Sequence, residues 1–283
     1  MDVKGRRKSS NVEDRRGMSA GKIGGGLGGL GIIIAIIYTL ISGGDIGDVA
    51  TSVITQNGSV QEDYQPSAQE EELAEFVSVV LADTEDVWQD IFNKELGQTY
   101  TNPSLVLFTN SVSSGCGNAT AAIGPFYCPA DYKLYIDLSF YQELKNQFNA
   151  PGDFAMAYVV AHEVGHHVQN LLGYTDNVNK LRGRASEAEV NAATVRLELQ
   201  ADYLAGVWAH HVKNKGYLEE GDFEEALTAA NAIGDDTLQM EAQGYVVPES
   251  FTHGTSEQRM RWFKKGFTNG TLKGGDTFNA IEL

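Results

Sequence analysis

The sequence predicts an α+β fold, in which a mainly helical body with a small β-sheet is preceded by one N-terminal transmembrane helix. Three observations support this prediction. An uncharged apolar run near the N-terminus is long enough to cross a bilayer. Apolar residues recur at helical spacing from residue 69 onward. Within the body, one short stretch alternates apolar and polar side chains in the manner of a β-strand, and a second is a short apolar run.

The apolar run extends from Ile23 to Ser42, about 20 residues, which as a helix matches the roughly 30 Å hydrocarbon core of a bilayer. Two other interpretations stay open. A helix buried in a protein core is disfavoured because the run is not amphipathic, and a cleaved signal peptide is disfavoured because no clear cleavage site follows. The Gly-, Ser- and Gln-rich residues 43–68 are typical of a flexible tether.

Charge is distributed unevenly along the 283-residue chain, whose formal net charge is -17. Residues 1–22 carry seven Lys or Arg side chains against three acids, so the remaining 261 residues sum to -21. An acidic body does not displace the counterions of nucleic acid, so no nucleic-acid partner is expected. A basic head before an apolar run predicts a cytoplasmic N-terminus and a body outside the cytoplasm. The expected organisation is a basic head (1–22), a single-pass membrane anchor (23–42), a tether (43–68) and a folded domain (69–283).

The chain has two cysteines, Cys116 and Cys128, within the stretch GCGNATAAIGPFYC. Outside the cytoplasm the redox environment favours a disulfide between them. The alternative, a pair of metal-binding thiolates, is disfavoured because their spacing is not that of a C-x-x-C hook and the sequence has no second pair. The neighbouring segments, SLVLFTN and YKLYIDLSFY, predict a small sheet that the disulfide staples at a hairpin or loop.

Three histidines fall within one predicted helix, in AHEVGHHVQN. His162, Glu163 and His166 form the pattern H-E-x-x-H. Positions i and i+4 lie one turn apart on the same helix face, so two imidazoles can converge on one metal ion. Glu163 lies beside the first ligand and can accept a proton from a metal-bound water, as in zinc metalloproteases. The alternative is a polar helix face with a histidine pair. His167 points away from this face and is expected to pack or to hydrogen-bond.

A second long helix, with a predicted capping box at its start, offers a third ligand. In ELQAD, Glu198 and Asp202 are again at i and i+4, among small apolar residues where a lone carboxylate would be costly. We expect Glu198 to complete a site of three protein ligands and a water, and Asp202 to accept the second ring N–H of a ligating histidine. The alternative is a solvated face with two acids. His210 and His211 lie too far along the helix to share a metal with Glu198 and are expected to complement a helix dipole.

The last histidine, His253, precedes a helix whose start is marked by a capping box, Thr255 with Gln258, and whose end is predicted at Gly266. A histidine on such a loop is commonly a surface residue. Its functional interpretation is a donor that stabilises the oxyanion formed when water attacks a carbonyl. Arg259 can orient His253 or bind a substrate carboxylate.

These residues together resemble a known family. H-E-x-x-H followed by E-x-x-x-D on a later helix is the gluzincin arrangement, and the chain is similar more specifically to the bacterial neutral zinc metallopeptidases. Tyr203 stands where that family's pattern has a cysteine, which touches no catalytic role. The motifs that carry the resemblance occur in order along most of the chain: GRRKSSNVEDRRG, the Gly-rich anchor, GCGNATAAIGPFYCPADYKLYIDLSFY, YVVAHEVGHHVQN, ELQADYLAGVW and HGTSEQR.

The resemblance implies a zincin-like, membrane-tethered catalytic domain that faces the periplasm or the cell exterior. One catalytic Zn²⁺ would be held by His162, His166 and Glu198, with Glu163 as the base. The expected activity is that of a zinc metalloendopeptidase acting on a peptide or protein. The alternatives are a membrane-anchored zinc-binding scaffold without peptidase activity and a hydrolase of a non-peptide amide. A groove-edge strand that pairs with extended substrate is expected around residues 132–140.

Overall fold

The structure, a computed structural model, describes residues 1–18 and 64–283. The predicted anchor, residues 23–42, and most of the predicted tether therefore lie outside the described residues. Within the described part of the chain, no helix combines the length and the apolar character needed to cross a bilayer. The chain divides into two units: a helical unit of Met1–Asn11, Glu75–Pro103 and Tyr141–Leu283, and a sheet unit of Val12–Ala74 and Ser104–Phe140.

The sheet unit contains a four-stranded sheet in the order β1-β2-β6-β5 and a separate β3-β4 hairpin. β2 pairs in parallel with both β1 and β6, whereas β5 is antiparallel to β6. Val106, Phe108 and Tyr135 form the centre of its buried core. The predicted small sheet is thus confirmed, with β1 added from the N-terminal segment. The strands are β1 (Val12–Asp14), β2 (Ser104–Phe108), β3 (Ser111–Ser114), β4 (Gly117–Thr120), β5 (Phe126–Cys128) and β6 (Lys133–Asp137).

Two predictions about the sheet unit have different outcomes. The disulfide between Cys116 and Cys128 is confirmed, with their Cα atoms 5.8 Å apart. The expectation that the segment around residues 132–140 is an edge strand is wrong for residues 133–135, because these pair with β2 on one side and with β5 on the other. A strand whose N–H and C=O groups are already used on both sides cannot add an extended peptide.

The helical unit is built around two long helices, α3 (Asp153–Leu171) and α5 (Glu187–Asn214), which carry the H-E-x-x-H and E-x-x-x-D motifs. α3 is buried along almost its whole length, as its small and branched apolar residues suggest. Both predicted capping boxes are present, Ser186 with Glu189 before α5 and Thr255 with Gln258 before α8. The described helices are α1 (Ala68–Ile91, continued by a π-helical turn over Phe92–Leu96), α2 (Phe140–Asn146), α3 (Asp153–Leu171), α4 (Thr175–Asn179), α5 (Glu187–Asn214), α6 (Asp222–Ala232), α7 (Asp235–Gln243) and α8 (Ser256–Asn269).

Helices α5 and α8 cross where each carries a glycine, Gly206 and Gly266. A β-carbon on Gly266 would lie 1.9 Å from the carbonyl oxygen of Tyr203, so the two backbones are in direct contact. The prediction that α8 ends at Gly266 is wrong. The helix continues to Asn269 and ends at Gly270, which adopts the left-handed conformation. The role of Gly266 is therefore to leave room for the backbone of α5 at the helix crossing, not to end α8.

Substitution of Gly266 by alanine is expected to lower the free energy of unfolding by about 3 kcal/mol, because the added methyl group would force the backbones of α5 and α8 apart. Urea denaturation of the purified protein measures this change. The matched control, Lys264→Ala on the exposed face of the same helix, is expected to change stability by less than about 0.5 kcal/mol. Equal stabilities of the two variants would contradict the close crossing.

The N-terminal segment is built into both units, which differs from the separate basic head expected from the sequence. Met1–Asn11 belongs to the helical unit, and β1 lies in the sheet unit. The physical reason is that several basic side chains are paired with acids of the body. Arg6 contacts Asp83, and Arg7 lies 2.8 Å from Glu85.

Candidate metal centre

Helices α3 and α5 approach closely beside the H-E-x-x-H motif. Gly165, the residue before the second histidine of the motif, lies against α5, where a β-carbon would be only 3.0 Å from the carbonyl oxygen of Ala201. The absence of a side chain allows this close packing, so that side chains of α5 reach those of α3. The motif's glycine was given no role by sequence reasoning, although it sets the distance between the two helices that carry the candidate ligands.

His162 and His166 of α3 meet Glu198 of α5. Nε2 of His162 lies 3.1 Å from Oε2 of Glu198, and Nε2 of His166 lies 3.4 Å from the same oxygen. One candidate ligand atom from each residue lies within 4.8 Å of the others. Two ligand atoms at about 2.1 Å from a tetrahedral zinc ion are roughly 3.4 Å apart. The three side chains expected from the sequence are therefore brought together at a spacing that suits zinc.

The second ring nitrogen of each histidine faces an acceptor. Nδ1 of His162 is 2.8 Å from Oδ1 of Asp202, and Nδ1 of His166 is 2.8 Å from Oε1 of Gln169. In a neutral imidazole, each Nδ1 therefore carries the proton and each Nε2 keeps its lone pair. Two lone pairs and the Glu198 carboxylate then face one another with no donor among them. A cation is the group that such an arrangement accommodates.

Without a metal ion, protonation of the two histidines would balance the charge of the Glu198 carboxylate. Burial by itself lowers the pKa of His162, but the carboxylates of Asp202 and Glu198 outweigh burial and raise that pKa to about 10. Despite burial, Glu198 also raises the pKa of His166. Burial raises the pKa of Glu198, yet the two histidines hold it well below its usual range. A divalent cation competes with these protons, so its binding releases them.

Asp202 anchors the first ligand from a fully buried position. It accepts hydrogen bonds from Nδ1 of His162, from the Tyr158 hydroxyl at 2.5 Å, and from Arg259, whose Nε lies 2.9 Å from Oδ2. Burial raises the pKa of Asp202, but Arg259 and His162 outweigh it and lower the pKa to about 2. An ionised Asp202 holds the His162 ring in one tautomer and one orientation, which is the role expected of it from the sequence.

Arg259 is buried beside Asp202. Its side chain is 2 % exposed, and its guanidinium donates to both oxygens of Asp202 and to the carbonyl oxygen of Ile233. These donors face Asp202, which differs from the two roles expected from the sequence, the orientation of His253 and the binding of a substrate carboxylate. The i+4 relation of Asp202 to Glu198 gave no indication that an arginine would neutralise it.

The orienting partner of His166 is Gln169, a residue that sequence reasoning missed. The Gln169 amide nitrogen donates to the carbonyl oxygen of Leu197 at 2.6 Å and to Oε1 of Gln200 at 3.1 Å. These bonds turn the Gln169 carbonyl oxygen toward His166. Gln169 and Gln200 are both buried. The sequence contained one indication of this role: Gln169 is an amide side chain three residues after His166, on a helix whose other residues are mostly apolar.

Glu163 directly follows His162 on α3 and is 8 % exposed. Its backbone position is fixed by the same turn of helix that holds both histidines. A carboxylate next to the ligand cluster has the chemistry required of a general base. It is the one acid of the H-E-x-x-H motif and has no counterpart in a purely structural metal site.

His253 lies in the loop before α8, with its side chain 50 % exposed. Its Nδ1 is 3.2 Å from Oδ1 of Asp235, and the backbone N–H groups of Thr252, His253 and Gly254 all donate to Oδ2 of Asp235. This carboxylate fixes the loop and the ring together. Glu198 contributes to raising the pKa of His253, and His253 contributes to lowering the pKa of Glu198. Sequence reasoning missed Asp235, because it begins a different helix.

The remaining histidines lie outside the cluster. Nε2 of His167 is 2.7 Å from the carbonyl oxygen of Thr101, and burial lowers the pKa of His167 to about 4. This matches the expectation that His167 packs or hydrogen-bonds. His210 and His211 hydrogen-bond carbonyl oxygens at the C-terminal end of α8. They therefore interact with the carbonyl end of a neighbouring helix in addition to lying near the end of their own.

The burial of His167 predicts a pH dependence of stability. Its pKa is about 4 in the folded protein against an ordinary value of 6.5, so as pH falls the unfolded chain binds the proton first. The stabilisation is complete above pH 6.5 and is lost toward pH 4, by at most about 3 kcal/mol. Urea denaturation across this range should show the stability advantage of the wild type over His167→Asn shrinking as pH falls. A constant difference would contradict the prediction.

A second group of carboxylates also has the spacing of an ion site: Asp153 on α3 with Asp222 and Glu225 on α6. The α-ammonium group of Met1 lies 2.8 Å from Asp153 and 3.1 Å from Asp222. A positive group thus already pairs with these acids, and the group contains no histidine. The cluster of His162, His166 and Glu198 is therefore the candidate metal centre.

Comparisons with known proteins agree with this chemistry. The family described as "Putative neutral zinc metallopeptidase" matches residues 1–278. The chain is 51 % identical over 284 residues to the uncharacterized protein YpfJ of Escherichia coli K12, covering 98 % of this chain and 99 % of that protein. It is 46 % identical over 203 residues to uncharacterized proteins of Mycobacterium bovis and Mycobacterium tuberculosis, covering 67 % of this chain and 67 % of each. No solved structure matches the chain.

Proposed function

This chain belongs to the neutral zinc metallopeptidase family, and from that premise we propose that it is a zinc-dependent endopeptidase. His162, His166 and Glu198 would hold the zinc. The proposal is supported most directly by the two Nε2 atoms that converge on one carboxylate while both Nδ1 atoms face acceptors. Two imidazoles and one carboxylate are the ligand set of thermolysin-type sites, which leave one position for water.

The catalytic steps are carried by residues of the chain around that site. When bound, the metal would supply Lewis-acid chemistry: it would lower the pKa of a water molecule toward neutrality and polarise the substrate carbonyl. Glu163 accepts a proton from the attacking water and then delivers it to the leaving amine, acting first as a base and then as an acid. Asp202 and Gln169 hold the two imidazoles in the tautomer that leaves each Nε2 free to ligate.

His253 stabilises the negative charge that develops on the substrate carbonyl oxygen. With Nδ1 directed to Asp235, Nε2 is the ring nitrogen that can donate toward substrate. The hydrogen bond from the ring to the Asp235 carboxylate raises the pKa of His253. The protonated, donating form of the ring therefore persists to a higher pH than in a free histidine. Asp235 is a positioning residue, since it acts through His253.

Cleavage within a chain is favoured over removal of C-terminal residues. Arg259 is the cation that sequence reasoning offered as the binder of a substrate carboxylate. Its guanidinium is buried and paired with Asp202, so it is not available to recognise a C-terminal carboxylate. An extended internal segment of a peptide or protein needs no such cation.

The test is metal analysis combined with cleavage of a peptide library by the purified full-length protein. About one zinc per chain is expected, with cleavage at internal bonds that is lost on treatment with a chelator and restored by added zinc. Bound zinc without cleavage of any peptide would favour a zinc-binding scaffold. Cleavage that survives complete removal of the metal would refute the proposal.

A further inference from the structure

Residues 1–11 are bound within the helical unit by specific hydrogen bonds. The backbone N–H of Asp2 donates to the carbonyl oxygen of Tyr217 at 3.1 Å, and that of Ser9 donates to the carbonyl oxygen of Ser78 at 3.0 Å. The Ser9 hydroxyl also donates to Glu85 at 2.5 Å. Both Ser9 and Glu85 are buried. This segment is therefore packed into the body, with buried polar groups that depend on it.

The basic side chains of the segment are directed at acids of the body. The Arg6 guanidinium contacts Asp83 and lies 3.7 Å from the ring centre of Tyr217, and Arg7 lies 2.8 Å from Glu85. Residues 1–18 contain six Lys or Arg residues, of which four pair with carboxylates beyond residue 64. These four are Arg6, Arg7, Lys8 and Arg16.

Residues 12–18 are bound within the sheet unit in the same way. β1 pairs in parallel with β2, with Val12 opposite Leu105. Gly17 packs so closely on Tyr64 that a β-carbon there would lie 2.4 Å from the Tyr64 side chain. The last described residues before position 19 and the first ones after position 63 are thus in contact.

Residues in paired strands are roughly 4.8 Å apart. They cannot lie on opposite sides of a hydrocarbon core about 30 Å thick. We infer that residues 1–18 and residues 64–283 fold together on the same side of the membrane. This replaces the expectation of a cytoplasmic head and an external body, and it does not depend on the proposed peptidase activity.

The disulfide indicates on which side of the membrane the N-terminal segment and the body lie. Cys116 and Cys128 are bonded in the sheet unit, and structural disulfides persist in oxidising compartments. β1 lies in the same sheet as the strand that ends at Cys128. The N-terminal segment is therefore assigned, with the body, to the oxidising side of the membrane.

Labelling of introduced cysteines in the full-length protein in cells tests the inference. Lys4→Cys and Lys180→Cys each place one thiol at an exposed position, in the N-terminal segment and in the body. A membrane-impermeant maleimide is expected to label both variants equally in intact spheroplasts. If only one of the two variants is labelled before lysis, the inference that both segments lie on the same side of the membrane is wrong. Labelling of both only after lysis would overturn its assignment to the oxidising side.

A double-mutant cycle tests the contact itself in native membranes. Arg7→Ala and Glu85→Ala are each expected to lower the thermal midpoint of the full-length protein, and the double variant should lose clearly less than the two losses combined. The control pairs Arg7→Ala with Glu224→Ala, an exposed acid on α6, for which additive losses are expected. Additive losses for Arg7 with Glu85 would contradict this contact and count against the inference. The labelling experiment stands even if a variant fails to fold.

Discussion

Replacement of Glu163 by glutamine is expected to lower kcat/KM for peptide hydrolysis by about 10²- to 10⁴-fold while the protein keeps its zinc. Glutamine has nearly the shape of glutamate but cannot accept the proton of the attacking water. The three proposed ligands are unchanged, so the metal content is expected to stay near one ion per chain. Separating activity from metal content in this way distinguishes a catalytic base from a residue that only supports the site.

The measurement compares initial rates on a cleaved peptide, zinc content and thermal midpoint for the wild type and the Glu163→Gln variant. Glu224→Gln makes the same chemical change on the exposed face of α6 and is expected to keep full activity. Undiminished activity of the Glu163→Gln variant would exclude the residue as the base. Joint loss of zinc and of folding would instead assign Glu163 a structural role.

Replacement of Arg259 by leucine is expected to lower the free energy of unfolding by about 3 to 5 kcal/mol. Asp202 is fully buried and its charge is compensated chiefly by this guanidinium. Without it, a buried carboxylate keeps only the hydrogen bonds of Tyr158 and His162. Because Asp202 orients His162, the affinity for zinc is expected to fall by about 10- to 100-fold as well.

Urea denaturation and zinc titration measure the two effects. Arg261 provides a matched control two residues further along α8: its side chain is 41 % exposed and pairs with Glu257, so Arg261→Leu should cost less than about 1 kcal/mol. Combining Arg259→Leu with Asp202→Asn removes both charges and is expected to recover part of the lost stability. An Arg259→Leu protein as stable as the Arg261→Leu control would contradict the role of Arg259 as counter-ion.

The part of the site that could be predicted from the sequence rests on local geometry. His162 and His166, like Glu198 and Asp202, are i and i+4 on one helix, and a helix puts such pairs on one face whatever surrounds it. The two capping boxes likewise join residues that are only three positions apart in the sequence. The disulfide followed from two cysteines in a short segment with no other partner. In each case the interacting residues are close in the chain, so a pattern of a few letters is sufficient.

The contacts that orient these groups could not be predicted, because they join residues far apart in sequence. Arg259 reaches Asp202 across 57 positions, and Asp235 reaches His253 across 18. Gly165 and Gly266 mark no turn, and their role appears only where two helix backbones touch. The basic residues near the N-terminus look like unpaired surface charges in the sequence, because their acidic partners lie far along the chain.

The sequence by itself determined which residues can ligate a metal, which acid can act as a base and which cysteines can pair. Only the tertiary structure decided which groups orient the ligands, where Arg259 points and to what the N-terminal segment binds. The physical reason is that helix periodicity is a property of the local backbone, whereas helix crossings and buried charge pairs depend on the packing of the whole unit. No short pattern in the sequence contains that information.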